Sequence, residues 1–131
     1  MKSNPYFNES EFKCKCCGEL PKACPPDGLI DILVDIREHF GKAVKINSGY
    51  RCPKNNAKVG GAPKSRHIVG DAADIQVDSV PTKEVYNYVI EKFGEHNLGI
   101  AKKIVDDPFR GFVHIDTRGT KARWNYPGSK E

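Results

Sequence analysis

The stretch SRHIVGDAADIQV, residues 65–77, packs His67, Asp71 and Asp74 among a glycine and small residues, and ends in a short apolar run. AADIQV, at 72–77, reads as a strand that follows a glycine-containing polar segment. The segment before it, NNAKVGGAPKSRHIVG, is rich in glycine and small or polar residues and reads as a short helical turn followed by a loop leading to His67. Small residues at Gly70, Ala72 and Ala73 let the backbone turn closely between His67 and Asp74. Either this is a polar surface loop or it is half of a metal site.

On the N-terminal side, AVKINS alternates apolar and polar residues as a strand does, and GYRCPKNN turns out of it, which places Arg51 just beyond a strand end. Upstream of that, PDGLIDILVDIREHFGK spaces Leu29, Ile32, Leu33, Ile36 and Phe40 on one helical face, with Asp27 as the cap and Gly41 as the stop. Downstream, PTKEVYNYVIEKFGEH puts Val85, Tyr88, Val89 and Phe93 on the face of a second helix. LGIAKKIV and GFVHIDTR follow as antiparallel strands joined across DDPFR. The order helix, strand, loop, strand, helix, strand, strand predicts an α+β fold with a central, mainly antiparallel sheet and flanking helices.

The chain's 131 residues suit one domain spanning 1–131, with residues 1–27 as a cysteine-rich extension packed on it. A hydrophobic share of 38%, with no apolar run near the ~20 residues that cross a bilayer, excludes membrane insertion. MKSNPYFNESEF lacks the apolar core and cleavage site of a secretory signal, so the expected location is the cytoplasm of the producing cell. The net charge of +4 favours an anionic partner without choosing one. Nucleic acid is not expected, because clustered basic residues with interleaved aromatics are lacking.

Four of the five cysteines crowd into CKCCGELPKAC, as Cys14, Cys16, Cys17 and Cys24; the fifth is Cys52. Reduced thiols, disulfides, or a second, structural metal held by Cys14, Cys16, Cys17 and Cys24 all fit an odd count without an export signal. No second C-x2-C pair follows to make a zinc ribbon.

His114 lies forty residues beyond Asp74, on the strand FVHID. Two imidazoles and one carboxylate, His67, His114 and Asp74, are a normal set of protein ligands for a catalytic zinc, and metal-assisted hydrolysis is the matching reaction class. Asp116 shares a strand face with His114, either as a general base or as the partner that orients a ligand histidine. Taken singly, DAAD also fits a helix cap or turn, and HID an ordinary half-exposed strand.

SGYRCPKNNAKVGGAPKSRHIVGDAADIQV followed by FVHIDTRGTKARW resembles the zinc D-alanyl-D-alanine carboxypeptidase family, in particular its small single-domain members. The resemblance covers roughly residues 28–124 and is carried by several separated motifs in order. Its S-x-H-x-x-G-x-A-x-D motif matches Ser65, His67, Gly70, Ala72 and Asp74, which implies that His67 and Asp74 ligate zinc, with His114 as third ligand. It also implies a hedgehog/DD-peptidase-like fold, an Arg51 that faces substrate, and peptidoglycan peptides as partners. Ser65 either contacts substrate or caps its turn, and Tyr50 lines either cleft or core. Many enzymes of the family carry an acidic base three residues before the last zinc histidine, where this chain has Gly111; Asp116 is then the expected base, with Asp106 and Asp107 in reserve. Trp124 is expected to seal a core edge. The resulting expectation is a monomeric zinc peptidase acting on the cell wall after release, as a phage endolysin does. The alternative is a non-catalytic zinc module that binds wall peptides, as the hedgehog domain shows that such a site does not guarantee catalysis.

Overall fold

The computed structural model describes all residues from 1 to 131. After a 3-10 turn at Glu9–Phe12, the elements run α1 (Asp27–Phe40), β1 (Val44–Ser48), α2 (Pro53–Lys58), α3 (Arg66–Val69), β2 (Ala72–Val77), α4 (Thr82–Phe93), β3 (Gly99–Lys103), β4 (Phe112–Asp116) and β5 (Ala122–Asn125). The five strands form one sheet in the order β1-β2-β4-β3-β5. Every pair is antiparallel except β3 with β5, so the fold is α+β as the residue pattern predicts.

Period-two alternation divides the labour of the central strands. Ala73, Ile75, Val113 and Ile115 turn to one face, where Leu29, Leu33 and Ile36 of α1 and Val85, Val89 and Phe93 of α4 complete the apolar core. Asp74, His114 and Asp116 occupy the alternate positions. Asp74 and His114 are direct cross-strand partners, and Ala72 opposes Asp116. A one-residue slip would send the polar set into the core, so burial itself fixes this register.

The N-terminal segment is built into the same core, since Phe7 and Phe12 join the cluster and Phe12 is only 1% exposed. Burying such a side chain contributes about 1.5–3 kcal/mol. Tyr50 N–H donates to the Phe12 carbonyl at 2.9 Å. Gly49 is required at this crossing, because a Cβ there would lie 2.7 Å from the Phe12 backbone.

Three local expectations change. Pro26, not Asp27, occupies the N-cap of α1, and Asp27 lies in its first turn, where a carboxylate favours the helix dipole. His67 sits on a helical turn, α3, rather than in a loop: Ser65 caps it through Oγ, and Gly70 ends it with φ +91°. The fifth strand, β5, lies outside the sequence reading; it adds to the β3 edge in parallel.

Candidate metal centre

His67, Asp74 and His114 are all buried and their donor atoms converge within 4.8 Å of one another. Each imidazole is oriented from behind. Nδ1–H of His67 donates to the Gly49 carbonyl at 2.7 Å, which leaves Nε2 as a bare acceptor 3.1 Å from Asp74 Oδ1. Nε2–H of His114 donates to Asp116 Oδ2 at 2.7 Å, which leaves Nδ1 as a bare acceptor 2.9 Å from the same Asp74 oxygen. With the rings neutral, two nitrogen lone pairs face one carboxylate oxygen, an arrangement that a cation among them would satisfy. A tetrahedral zinc with ligands at about 2.0–2.1 Å sets its donors about 3.3 Å apart, close to these separations. The residues fit a divalent ion.

The charge balance agrees. Burial pushes the Asp74 carboxyl up, but the hydrogen bonds and charges of His114 and His67 outweigh it and hold the group well below the usual carboxylate range. At His114 burial opposes protonation, yet Asp116 and Asp74 together raise the ring's basicity.

Asp116 is 0% exposed and fully engaged. Beyond His114, it accepts from Arg118 Nε at 2.8 Å and from Arg118 Nη2 at 2.7 Å, a bidentate pair. Burial raises its carboxyl, and Arg118 and His114 more than reverse this, holding it well below the ordinary range. Arg118 in turn lies over the Trp124 ring, 4.8 Å from its centroid. Space behind the carboxylate is tight as well: a Cβ on Gly99 would come within 2.3 Å of it.

In front of the donors lies a cleft of about 700 Å³, lined among others by Arg51, Ser65, Lys103, Trp124 and Tyr126, with Asp74 and His114 on its floor. Arg51 Nη2 donates to Ser65 Oγ at 3.2 Å, and its Nε is buried without a partner. Ser65 also accepts the His67 N–H, so it both caps α3 and steadies Arg51. Burial and the Asp74 charge push the Tyr126 phenol far up, keeping it a neutral donor.

Other expected residues fall elsewhere. Tyr50 lines a separate hollow with Lys15 and Asn47, outside this cleft. Asp106 is exposed and pairs with Lys130, and Asp107 accepts from the Phe109 N–H; neither lines the cleft. Gly111 leaves no room for an acid, since a Cβ would sit 2.0 Å from the Lys103 carbonyl. Trp124 belongs to the cleft wall instead of a core edge, its ring 5.2 Å from that of His114. The sequence reading missed Arg118 and Tyr126, although the H-x-D-x-R and W-x-Y spacings put each on the face of a neighbour already singled out.

The cysteine grouping is also corrected. Cys14, Cys17 and Cys52 converge, whereas Cys16 is exposed and Cys24 Sγ turns to the Val69 carbonyl at 3.7 Å. Cys52 comes from the loop after β1, which chain proximity to the first four does not reveal. Burial pushes the Cys14 thiol up, but the N–H groups of Cys52, Cys17 and Cys16 more than offset this and bring it down to about 6.

Two imidazoles and a carboxylate, open on one side to a cleft, make the kind of centre that metallohydrolases use. A model of the peptidase M15 family matches residues 5–116, and the chain belongs to that family, the zinc D-alanyl-D-alanine carboxypeptidases. It is a metallopeptidase hydrolase by that membership. No curated protein matches the chain. No helix is long and apolar enough to cross a membrane.

Proposed function

We propose that this chain is a zinc peptidase that hydrolyses stem-peptide or cross-link bonds of bacterial peptidoglycan, in the manner of a phage endolysin. The observation that carries the reading is the convergence of His67 Nε2, Asp74 Oδ1 and His114 Nδ1 on the floor of an open cleft. When bound, zinc supplies Lewis acidity toward a carbonyl oxygen and toward water. The protein's own groups do the rest. Arg51, with an unpartnered Nε, is suited to hold a substrate carboxylate or the oxyanion that develops on the scissile carbonyl. Lys103 and Arg66, the latter paired with Asp71, add two further cations to the lining, which supports an anionic peptide. Tyr126, a neutral phenol, donates a hydrogen bond into the same space.

Of the two roles open to Asp116, the orienting one is better supported. Its oxygens are taken by His114 and Arg118, and a carboxylate held that far below its usual range is a weak base. It fixes the His114 tautomer and leaves Nδ1 for the ion. Asp74 is then the one carboxylate among the lining residues, and it is a metal ligand in this reading.

That same lack of a free carboxylate favours one second reading, a zinc module that binds wall peptides without cutting them. Mass-spectrometric analysis of fragments released from purified peptidoglycan separates the two. Zinc-loaded wild type is expected to release peptides whose masses name the bond cut, and His67→Ala to release none. A folded, zinc-loaded wild type that binds peptidoglycan from several wall types and cuts none of them leaves the binding module in its place.

A further inference from the structure

All five cysteines are unbridged, and three of them converge, with Cys52 next in the chain to the cleft-lining Arg51. Cys14 and Cys17 flank a tight turn, Cys14-Lys15-Cys16-Cys17-Gly18, closed by the Gly18 N–H on the Cys14 carbonyl at 2.8 Å. Gly18 adopts φ +72°, which lets the chain leave the turn while both sulfurs stay on the same side. A C-x2-C pair on such a turn has the ligand spacing of structural metal sites. Cys52 supplies a third sulfur, and the three Sγ atoms lie within 4.8 Å of one another.

Backbone donors are aimed at two of these sulfurs. The Cys52 N–H reaches Cys14 Sγ at 3.4 Å, and the Asn55 N–H reaches Cys52 Sγ at 3.4 Å. Donors of this kind favour thiolate over thiol. Three sulfurs at this spacing can converge on one cation, and an odd number cannot be satisfied by a disulfide, which would strand the third. Sulfur donors select zinc or another soft ion over calcium or magnesium.

We propose that Cys14, Cys17 and Cys52 form a second metal centre, a thiolate site for zinc whose fourth position opens to solvent beside the exposed Cys17. It fastens the N-terminal turn to the backbone immediately after Arg51. The site owes nothing to the peptidase reading, and its tests are blind to hydrolysis.

Metal content of the full chain, purified under reducing conditions from zinc-supplemented cells, is expected at about two zinc ions per chain. His114→Ala and Cys52→Ser should each retain one of them, while Cys16→Ser and Cys24→Ser retain both. Replacing zinc by cobalt(II) gives the decisive signature: near-ultraviolet thiolate-to-cobalt charge transfer in wild type and in His114→Ala, absent in Cys52→Ser. A cobalt-loaded wild type without that band overturns the proposal, and needs no variant to fold. So does a bridge between any two of the three cysteines, found in the peptide map of protein purified without oxygen.

Discussion

His67 and His114 reach the same oxygen of Asp74 from different kinds of structure. His67 rides on a four-residue helical turn and is steered by a backbone carbonyl, that of Gly49. His114 stands on a central strand and is steered by a carboxylate, Asp116, itself clamped by Arg118. A carbonyl fixes a tautomer while adding no net charge. A carboxylate fixes it and also makes the ring more basic. One seat is therefore a geometric device, the other a geometric and electrostatic one.

Removing each ring should have the strongest effect. His67→Ala and His114→Ala are both expected to abolish zinc retention at this centre, read by metal content after dialysis, and to reduce peptide release to background. If either variant kept the zinc of this centre, the two seats would not be equal members of one site. The next effect is specific to the electrostatic seat. Asp116→Asn should weaken zinc binding by about 10–100-fold, measured by competition with a chelating indicator, with the fold intact by circular dichroism. An unchanged affinity would mean that Asp116 serves Arg118 rather than His114.

Protonation distinguishes the seats in metal-stripped protein. The basicity of His114 is raised, so its contribution to stability is complete below its ordinary pKa of about 6.5 and is lost as pH rises through the higher folded value. The carboxyls of Asp74 and Asp116 are depressed, so theirs is present above about 3.9 and lost as pH falls through the lower folded values. Stripped protein should therefore lose stability above neutral pH by up to about 1.4 kcal/mol per pH unit for the one proton released. Zinc affinity should move the other way, rising with pH because the ion needs the neutral ring. Denaturant titrations across pH 6–9, with and without zinc, check both slopes. The smallest effect belongs to the geometric seat: Ser65→Ala removes the cap of α3 and should cost about 1 kcal/mol in the same titrations. Its zinc affinity should change far less than that of Asp116→Asn.

Much of this was legible because period-two and helical patterns carry it. HID and AADIQV show their alternation openly, and α1 and α4 show their apolar faces. What escaped depends on contacts between distant segments. β5 is four residues long, and its place beside β3 follows from a parallel pairing that no local pattern encodes. Trp124 looks like a seal until that strand brings it to the wall beside His114. The third sulfur was hidden for the same reason, since only the crossing of residues 49–52 over the N-terminal segment brings Cys52 to Cys14. Asp116 illustrates a subtler limit. Its shared face with His114 was readable, but the choice between base and orienting partner turned on Arg118, which saturates the carboxylate.

Asp74 and His114 are cross-strand partners in the middle of the sheet, and the segment between them includes all of α4 and β3. An unfolded chain offers an ion only the nearby pair His67 and Asp74, a poor chelate, until the long-range pairing of β2 with β4 has formed. If this centre holds zinc as proposed, metal capture would be a late folding event and a report on completed topology. A chain emerging slowly during synthesis would then remain without the ion until β2 and β4 are paired.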